Sequence, residues 1–323
     1  MANIRTIFFT VLLLIPLWGV MGYATAQTVQ ENGVIGRLQA ISNRGTDFYN
    51  VDGISVTQEV FQSKFSKANI LKMYGQFIPG ESSLEQSDLS IEQQNFVYER
   101  VDSLSEGIDI YTTYYFIEEP VGSITAITYS SPGKNDKKLQ RELNPLILGK
   151  KVPASVFSPM VFNTIDFAGR RIELSYLCQW TKVNSVQWPY HGQINWSVHR
   201  DRADAELSVD MQRRISAHNF LNPDVPSREY SETPNSILSD EMVDVIFEGT
   251  PIKARKVVFS LGTGLEKILG PTGKGEGTKE LTIYYVTAPV RGNWVSCVMS
   301  HWNNDIIGES GLPELLEKIM KLK

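Results

Sequence analysis

The first half of the chain alternates hydrophobic and polar residues in short runs that predict strands. Residues 48–56 are strand-like on both sides of Asp52-Gly53, a dipeptide typical of tight hairpin turns. Ser-Val-Thr-Gln at 55–58 has the spacing of a capping box, and the apolar residues that follow recur on one helical face. We therefore expect a hairpin and then a helix that ends at Gly75.

Further along this half, apolar runs predict three strands and a closing helix. The strands are expected at 95–101, 108–117 and 123–130. Four apolar residues mark the helix: Leu139, Leu143, Leu146 and Ile147. We expect Pro145 to interrupt or restart it, because proline removes a helical hydrogen bond.

The second half repeats this order of elements with a longer beginning. Strands at 171–183 and 192–199 are expected to form a hairpin, and apolar residues recurring every four positions predict a helix at 201–218. Four strands and a terminal helix follow, at 242–247, 252–260, 281–287 and 294–301 and from Pro313 onwards.

A short local pattern also occurs once in each half. Tyr-Tyr-Phe at 114–116 precedes Pro-Val-Gly and a strand, and Tyr-Tyr-Val at 284–286 precedes Pro-Val-Arg-Gly and a strand. With the shared order of elements, this repetition predicts an α+β fold: two tandem α/β sandwich domains, each a mainly antiparallel sheet covered by helices. We place the first domain at 27–152 and the second at 153–323.

The order of elements, with Tyr284-Tyr285 and Trp294 on a strand pair that leads into the terminal helix, resembles the PsbP-like group of α/β sandwich domains. The resemblance covers most of residues 160–323 and also residues 40–150. It implies an exported or peripheral protein that binds a partner or assists an assembly. It assigns no functional residue.

The N-terminus has the pattern of a secretory signal peptide. Arg5 precedes an apolar run at 7–20, and Ala24-Thr25-Ala26 places small residues three and one positions before Gln27. A membrane anchor is the alternative, but the run is shorter than the roughly 20 residues that a spanning helix needs. We expect residues 1–26 to be a signal peptide, with no transmembrane anchor after its cleavage, and the protein to be periplasmic or secreted.

Composition narrows the class of protein without identifying an activity. The 323 residues are 42% hydrophobic and 21% charged, which excludes a disordered chain, a collagen and a multi-span membrane protein. The formal net charge is −5, with 31 Lys and Arg against 36 Asp and Glu. This balance is unfavourable for binding nucleic acid, so we expect no nucleic-acid partner.

Cys178 and Cys297 are the two cysteines of the chain. An oxidising compartment permits a disulfide between them, worth about 4–5 kcal/mol in the chain-entropy model. Each cysteine also lies in an apolar, strand-like run, where a free cysteine packs as a small hydrophobic residue. The sequence leaves both possibilities open.

The sequence contains no motif with the spacing of a catalytic, cofactor or metal site. The histidines are too scattered to predict the three or four converging ligands of a metal site: His191, His199, His218 and His301. The glycine-rich segment 262–277 departs from the dinucleotide and P-loop patterns, and Ser-Pro-Gly-Lys at 131–134 matches Ser-x-x-Lys without a helix to bring lysine to serine. We predict no catalytic residue, no metal and no cofactor.

The tryptophans are the candidate ligand-facing residues. They recur every eight positions within two segments, and an even spacing keeps side chains on one face of a strand: Trp180, Trp188 and Trp196, then Trp294 and Trp302. Such a face could stack on a sugar, a peptide or an apolar ligand. Packing in the hydrophobic core is the alternative, which we favour.

These features predict a non-catalytic, exported, soluble binding or assembly module of the bacterial cell envelope, whose partner is an envelope protein or a small ligand. Two other classes are alternatives: a hydrolase-type enzyme with a site built from scattered Asp, Glu and His residues, and a structural envelope component. A cleft with two or more carboxylates or histidines of perturbed pKa would favour the enzyme. A pocket without them would favour the binding module.

Overall fold

The computed structural model describes residues 33–43, 45–158, 163–175, 178–188, 191–221, 235–261, 280–303 and 307–323. These residues belong to one unit that is rich in antiparallel strands and has few helices, as expected of an α+β fold. The predicted signal peptide lies outside the described residues. Among the described helices, none is both long enough and apolar enough to cross a membrane.

The first sheet is built from six strands: β1 Gln39–Asn43, β2 Thr46–Val51, β3 Ile54–Phe61, β4 Asn95–Ser105, β5 Ile108–Glu118 and β6 Ile124–Pro132. All neighbours are antiparallel, in the order β1-β2-β3-β6-β5-β4. The predicted hairpin is confirmed, because Asp52 and Gly53 join β2 to β3 with φ values of 50° and 79°, the pair of positive φ angles of a type I′ turn. The three strands predicted after the hairpin are β4, β5 and β6.

Helices cover both faces of this sheet. They are α1 Val34–Arg37, α2 Lys67–Tyr74 and α3 Lys137–Leu148. On one face, Ile70 and Tyr74 of α2 share a hydrophobic cluster with Phe116. On the other, Leu143 of α3 shares a cluster with Tyr129. Each face of the sheet therefore has its own core.

The predicted start of the helix that follows the hairpin, α2, is wrong. Residues 55–58 belong to β3 and form no capping box, because β3 gains a full ladder of backbone hydrogen bonds by pairing with both β2 and β6. The helix begins after Ser66, whose hydroxyl accepts a hydrogen bond from Asn69 N at 3.2 Å. It ends before Gly75, as predicted.

Pro145 does not interrupt α3, which continues to Leu148. Its own side chain is exposed, and the buried side chains of Leu143 and Ile147 on either side of it hold the helix to the sheet. Proline cannot donate a hydrogen bond to Arg141 O, but apolar burial outweighs that loss.

The second sheet has eight strands: β9 Gln179–Lys182, β10 Ser185–Trp188, β11 Gly192–His199, β12 Ser236–Phe247, β13 Thr250–Ser260, β14 Glu280–Val290, β15 Asn293–Trp302 and β16 Met320–Leu322. Their order is β16-β12-β13-β14-β15-β11-β10-β9. A separate hairpin, β7 Thr164–Phe167 with β8 Arg170–Glu173, precedes them. The helices of this half are α4 Arg202–Leu221 and α5 Glu314–Glu317.

The two faces of the second sheet are covered by different elements. Phe220 and Leu221 of α4 share a cluster with Phe259 and Tyr285 on one face. The β7–β8 hairpin and α5 cover the other face, where their buried apolar side chains form the largest core of the chain together with β11 and β15.

Two predictions for this half are corrected. Residues 171–183 do not form one strand paired with 192–199, because β8 pairs with β7, and β10 lies between β9 and β11. The terminal helix is a single turn, after which Met320 pairs with Phe247 of β12. Leu315, Leu316, Ile319 and Met320 are all buried, so the chain end completes the sheet.

Candidate functional site

The β2–β3 turn of the first sheet contacts the end of β11 in the second sheet. Asp52 N donates to Val198 O at 3.1 Å, and Arg200 N donates to Asp52 Oδ1 at 3.0 Å. Arg37 Nε and Nη2 each lie 2.9 Å from a carboxylate oxygen of Asp52, and both side chains are 4% exposed. This bidentate, buried ion pair fixes the turn against β11.

Gly53 permits the close approach of the turn. A Cβ atom at this position would lie 3.0 Å from Ser208 Oγ of α4 and 3.3 Å from His199 Cε1 of β11. Because Gly53 also has a positive φ, glycine suits both the turn and the packing. The first sheet, α4 and the second sheet therefore meet at this point.

A pocket of about 280 Å³ opens beside this contact, and we call it the junction pocket. Its walls come from three parts of the fold. The β2–β3 turn provides Asn50, Gly53 and Ser55, and α4 provides Ser208 and Gln212. Strands of the second sheet and a turn between them provide the rest: Lys182, Asn184, Ser185, Gln193, Asn195, Trp196, Ser197, Ser296 and Val298. Most of these side chains are neutral amides or hydroxyls.

The alternation of β11 explains this polarity. Ile194, Trp196 and Val198 are buried in the core under the β7–β8 hairpin. Residues 193, 195 and 197, which are Gln, Asn and Ser, point to the opposite face, where the junction pocket lies. The regular change between apolar side chains and amide or hydroxyl side chains at 193–198 is visible in the sequence, and it is the signal that could have predicted this polar face.

Hydrogen bonds hold several pocket side chains in place. Asn184 Nδ2 donates to Ser197 Oγ at 3.1 Å and also to a main-chain carbonyl of β11. Gln193 Nε2 donates to Asn195 Oδ1 at 3.1 Å. The pocket is therefore largely pre-organised.

Asn50 stands apart from this network. Its side chain is 4% exposed, yet Oδ1 has no hydrogen-bond partner among the described residues. A buried polar atom without a partner costs about 1–3 kcal/mol. The oxygen itself has almost no exposed area, so a ligand can use this acceptor only when the Asn50 amide turns towards the junction pocket.

His199 lies behind the pocket and is fully buried. Desolvation by burial lowers its pKa to about 4, so the ring is neutral at pH 7. Nε2 is 2.7 Å from Ser296 Oγ, which in turn lies 3.3 Å from Ser208 Oγ, whereas Nδ1 has no partner among the described residues.

This arrangement is unfavourable for serine catalysis. If Nδ1 carried the proton, a buried N–H donor would be unsatisfied, so the favourable tautomer has the proton on Nε2, donated to Ser296. His199 then cannot accept a proton from Ser296. The carboxylate that could orient the ring, that of Asp52, is engaged by Arg37 and by Arg200 N.

The five tryptophans do not form one surface. Trp180, Trp188 and Trp196 belong to the core on the β7–β8 side, and Trp196 is 2% exposed. Trp302 packs in the cluster beneath α4, and the ring of Trp294 lies 5.6 Å from the Arg202 guanidinium of that helix. The structure therefore places them on both faces of the second sheet, and Trp196 serves the core.

Cys178 and Cys297 are both buried, free thiols. Cys178 precedes β9 and Cys297 lies on β15, with β10 and β11 between these strands. Strands so arranged are about 14 Å apart, more than the roughly 4.4–6.8 Å between the Cα atoms of a disulfide. The structure thus has both thiols free, and burial raises the pKa of the Cys297 thiol.

The remaining candidate motifs stay apart. Within the described ranges, no three or more His, Cys, Asp or Glu side chains come close enough to hold a metal ion. The segment 262–277 lies outside the described residues. Residues 131 and 132 end β6, and residues 131–134 form no helix, as predicted. Lys134 instead binds Asp204 of α4 at 2.8 Å.

Comparisons with known proteins do not assign a family. No family model and no curated protein matches the chain. Similar solved structures include DynU16, a putative protein in the dynemicin biosynthetic locus (10% identity over 86% of this chain and 78% of that chain), and StfQ, a di-domain ARO/CYC from the steffimycin biosynthetic pathway (9%, 84% and 77%). Both have a TM-score of 0.15 and carry no argument about this chain.

Proposed function

We propose that this protein is a non-catalytic binding protein of the bacterial cell envelope that holds a small ligand in the junction pocket. The observation that carries the proposal is the buried, unpartnered Asn50 Oδ1 in the wall of a pre-organised polar pocket. A volume of about 280 Å³ is near the lower limit of the roughly 300–1,000 Å³ of ligand sites, and suits a small molecule better than a protein segment.

The chemistry of the pocket favours binding over the hydrolase alternative. Its lining residues include no Asp or Glu, and the one buried histidine behind it is held as a donor to Ser296. Acid–base catalysis needs titratable groups that can reach a bound molecule. The enzyme alternative therefore has less support than the binding module.

The location and domain organisation remain part of the proposal. We propose a signal peptide at 1–26 and a periplasmic or secreted location. We also propose two tandem sandwich domains, at 27–152 and 153–323, that are similar to the PsbP-like group. The first sheet is formed by residues between 39 and 132 and the second by residues between 179 and 322, and this separation supports the division into domains.

Ligand retention tests the proposed function. The protein is incubated with the low-molecular-mass fraction of a bacterial envelope extract, re-isolated by gel filtration and denatured, and the released compounds are identified by mass spectrometry. Ser55→Trp places an indole at the exposed edge of the pocket, and Ser42→Trp is the matched control on an exposed site of β1.

We expect one compound at near-equimolar amount with the wild type and Ser42→Trp, and its loss with Ser55→Trp. Retention by no protein, or equal retention by Ser55→Trp, would overturn the proposal. Recovery of a chemically altered compound would favour the enzyme alternative instead.

A further inference from the structure

Resting on the proposed function, we infer that the ligand of the junction pocket is a neutral, polyhydroxylated molecule about the size of one sugar ring. The inference assigns a chemical class to the site from the donors and acceptors in its wall, from their charge and from the volume that they enclose.

The polar groups that line the pocket favour a polyhydroxylated ligand. The amides of Asn50, Asn184 and Asn195 and the hydroxyls of Ser197 and Ser296 each combine donor and acceptor capacity. A sugar hydroxyl also donates and accepts, so each ring hydroxyl can be matched by an amide or a hydroxyl. An apolar ligand would desolvate the donor and acceptor positions that the hydrogen bonds within the wall leave unused.

Asn50 places a specific demand on the ligand. Its Oδ1 has no hydrogen-bond partner among the described residues and almost no exposed area. A ligand donor therefore reaches this acceptor only when the Asn50 amide turns towards the pocket that it lines. A ligand hydroxyl that donates to the turned amide satisfies an atom that the folded chain leaves unsatisfied.

The charge of the pocket wall does not favour an anionic ligand. Lys182 is the one formal charge among the lining residues, and its side chain is exposed at the edge of the pocket. The N-terminus of α4 is at Arg202, whereas Ser208 and Gln212 lie further along that helix. The pocket therefore faces the flank of α4 and gains no anion-binding N–H groups from it.

The size of the pocket limits the size of the ligand. About 280 Å³ accommodates one ring of a monosaccharide and not an extended oligosaccharide. Val298 adds an aliphatic patch to the wall, against which the C–H face of a ring can pack.

Titration calorimetry with defined probes tests the class of ligand. The probes are glucose, galactose, N-acetylglucosamine and myo-inositol as neutral polyols, inorganic phosphate as an anion, and indole as an apolar molecule. Asn50→Leu removes the acceptor while keeping the size of the side chain, and Asn43→Leu is the control at an exposed position of β1.

We expect at least one neutral polyol to bind, and Asn50→Leu to weaken its binding at least tenfold with Asn43→Leu unchanged. Thermal unfolding of Asn50→Leu should show a midpoint no lower than that of the wild type, because an unsatisfied polar atom is removed. Should this variant fail to fold, Ser55→Trp provides the same binding comparison from an exposed site.

Three results would overturn the inference: pocket-dependent binding of phosphate or indole in place of the polyols, polyol binding unaffected by both variants, or no polyol binding. The extract experiment separates these failures. If it recovers a charged or apolar compound that Ser55→Trp loses, the ligand class is wrong and the binding function stands. If it recovers nothing, the binding function itself fails.

Discussion

Asp52→Asn is expected to lower the free energy of unfolding by about 3–5 kcal/mol, the cost of breaking a buried ion pair on one side. Arg37 and Asp52 are each 4% exposed, and both carboxylate oxygens lie 2.9 Å from guanidinium nitrogens. Asparagine tolerates the φ of 50° at this position and can still accept from Arg200 N. The loss therefore measures what removing the negative charge of Asp52 costs the buried Arg37 guanidinium.

Urea unfolding followed by the fluorescence of the six tryptophans is the assay. The double variant Arg37→Met with Asp52→Asn should recover stability to within about 2 kcal/mol of the wild type, because no uncompensated charge stays buried. Asp102→Asn is the control: its pair with Arg100 is 35–40% exposed, and the loss should be below about 1 kcal/mol. A loss below about 1 kcal/mol for Asp52→Asn, or a double variant no more stable than the single one, would refute the reasoning.

Three further predictions concern groups that the fold buries or constrains. The pKa of His199 falls from 6.5 to about 4 on folding, so the neutral ring contributes about 3 kcal/mol to folding stability above pH 6.5, and this contribution is lost as the pH falls towards 4. The variant His199→Gln should therefore flatten the decline in the urea-unfolding free energy that the wild type shows over this range. An unchanged decline would contradict the assignment to His199. Pro145→Ala should stabilise the protein by about 2 kcal/mol in the same assay, because alanine restores a hydrogen-bond donor to Arg141 O in α3. The control Pro153→Ala, outside any α-helix, should be neutral or slightly destabilising. A loss of stability for Pro145→Ala would show that the proline ring itself is needed. Alkylation of the unfolded, unreduced protein should add two groups by mass, at Cys178 and Cys297, and none if the two are bridged.

The strands were the most predictable part of the fold. Residues 95–101, 108–117 and 123–130 alternate or are continuously apolar over short stretches, and all three became strands of the first sheet. Burial on one or both faces of a sheet imposes this pattern locally, so it can be read without knowing the partner strand.

Elements whose local signals competed with tertiary contacts were predicted less well. The capping-box spacing at 55–58 is a valid local signal, but β3 pairs with strands on both sides and overrides it. The apolar residues after Pro313 are compatible with a helix, yet residues 320–322 form a strand because they pair with the open edge of β12. In both cases a neighbour distant in sequence supplies more hydrogen bonds and burial than the local alternative.

The sequence by itself determined the sheet-rich α+β class, most strands and the long helix α4, because periodic burial is a property of each segment alone. Only the tertiary structure decided the junction pocket, since its walls depend on contacts such as that between Asp52 and Arg200, which are 148 positions apart. Asn50 looks like any polar residue of a strand in the sequence. It becomes a buried, unsatisfied acceptor only when the β2–β3 turn docks against β11, because docking removes water from its side chain without supplying a replacement donor.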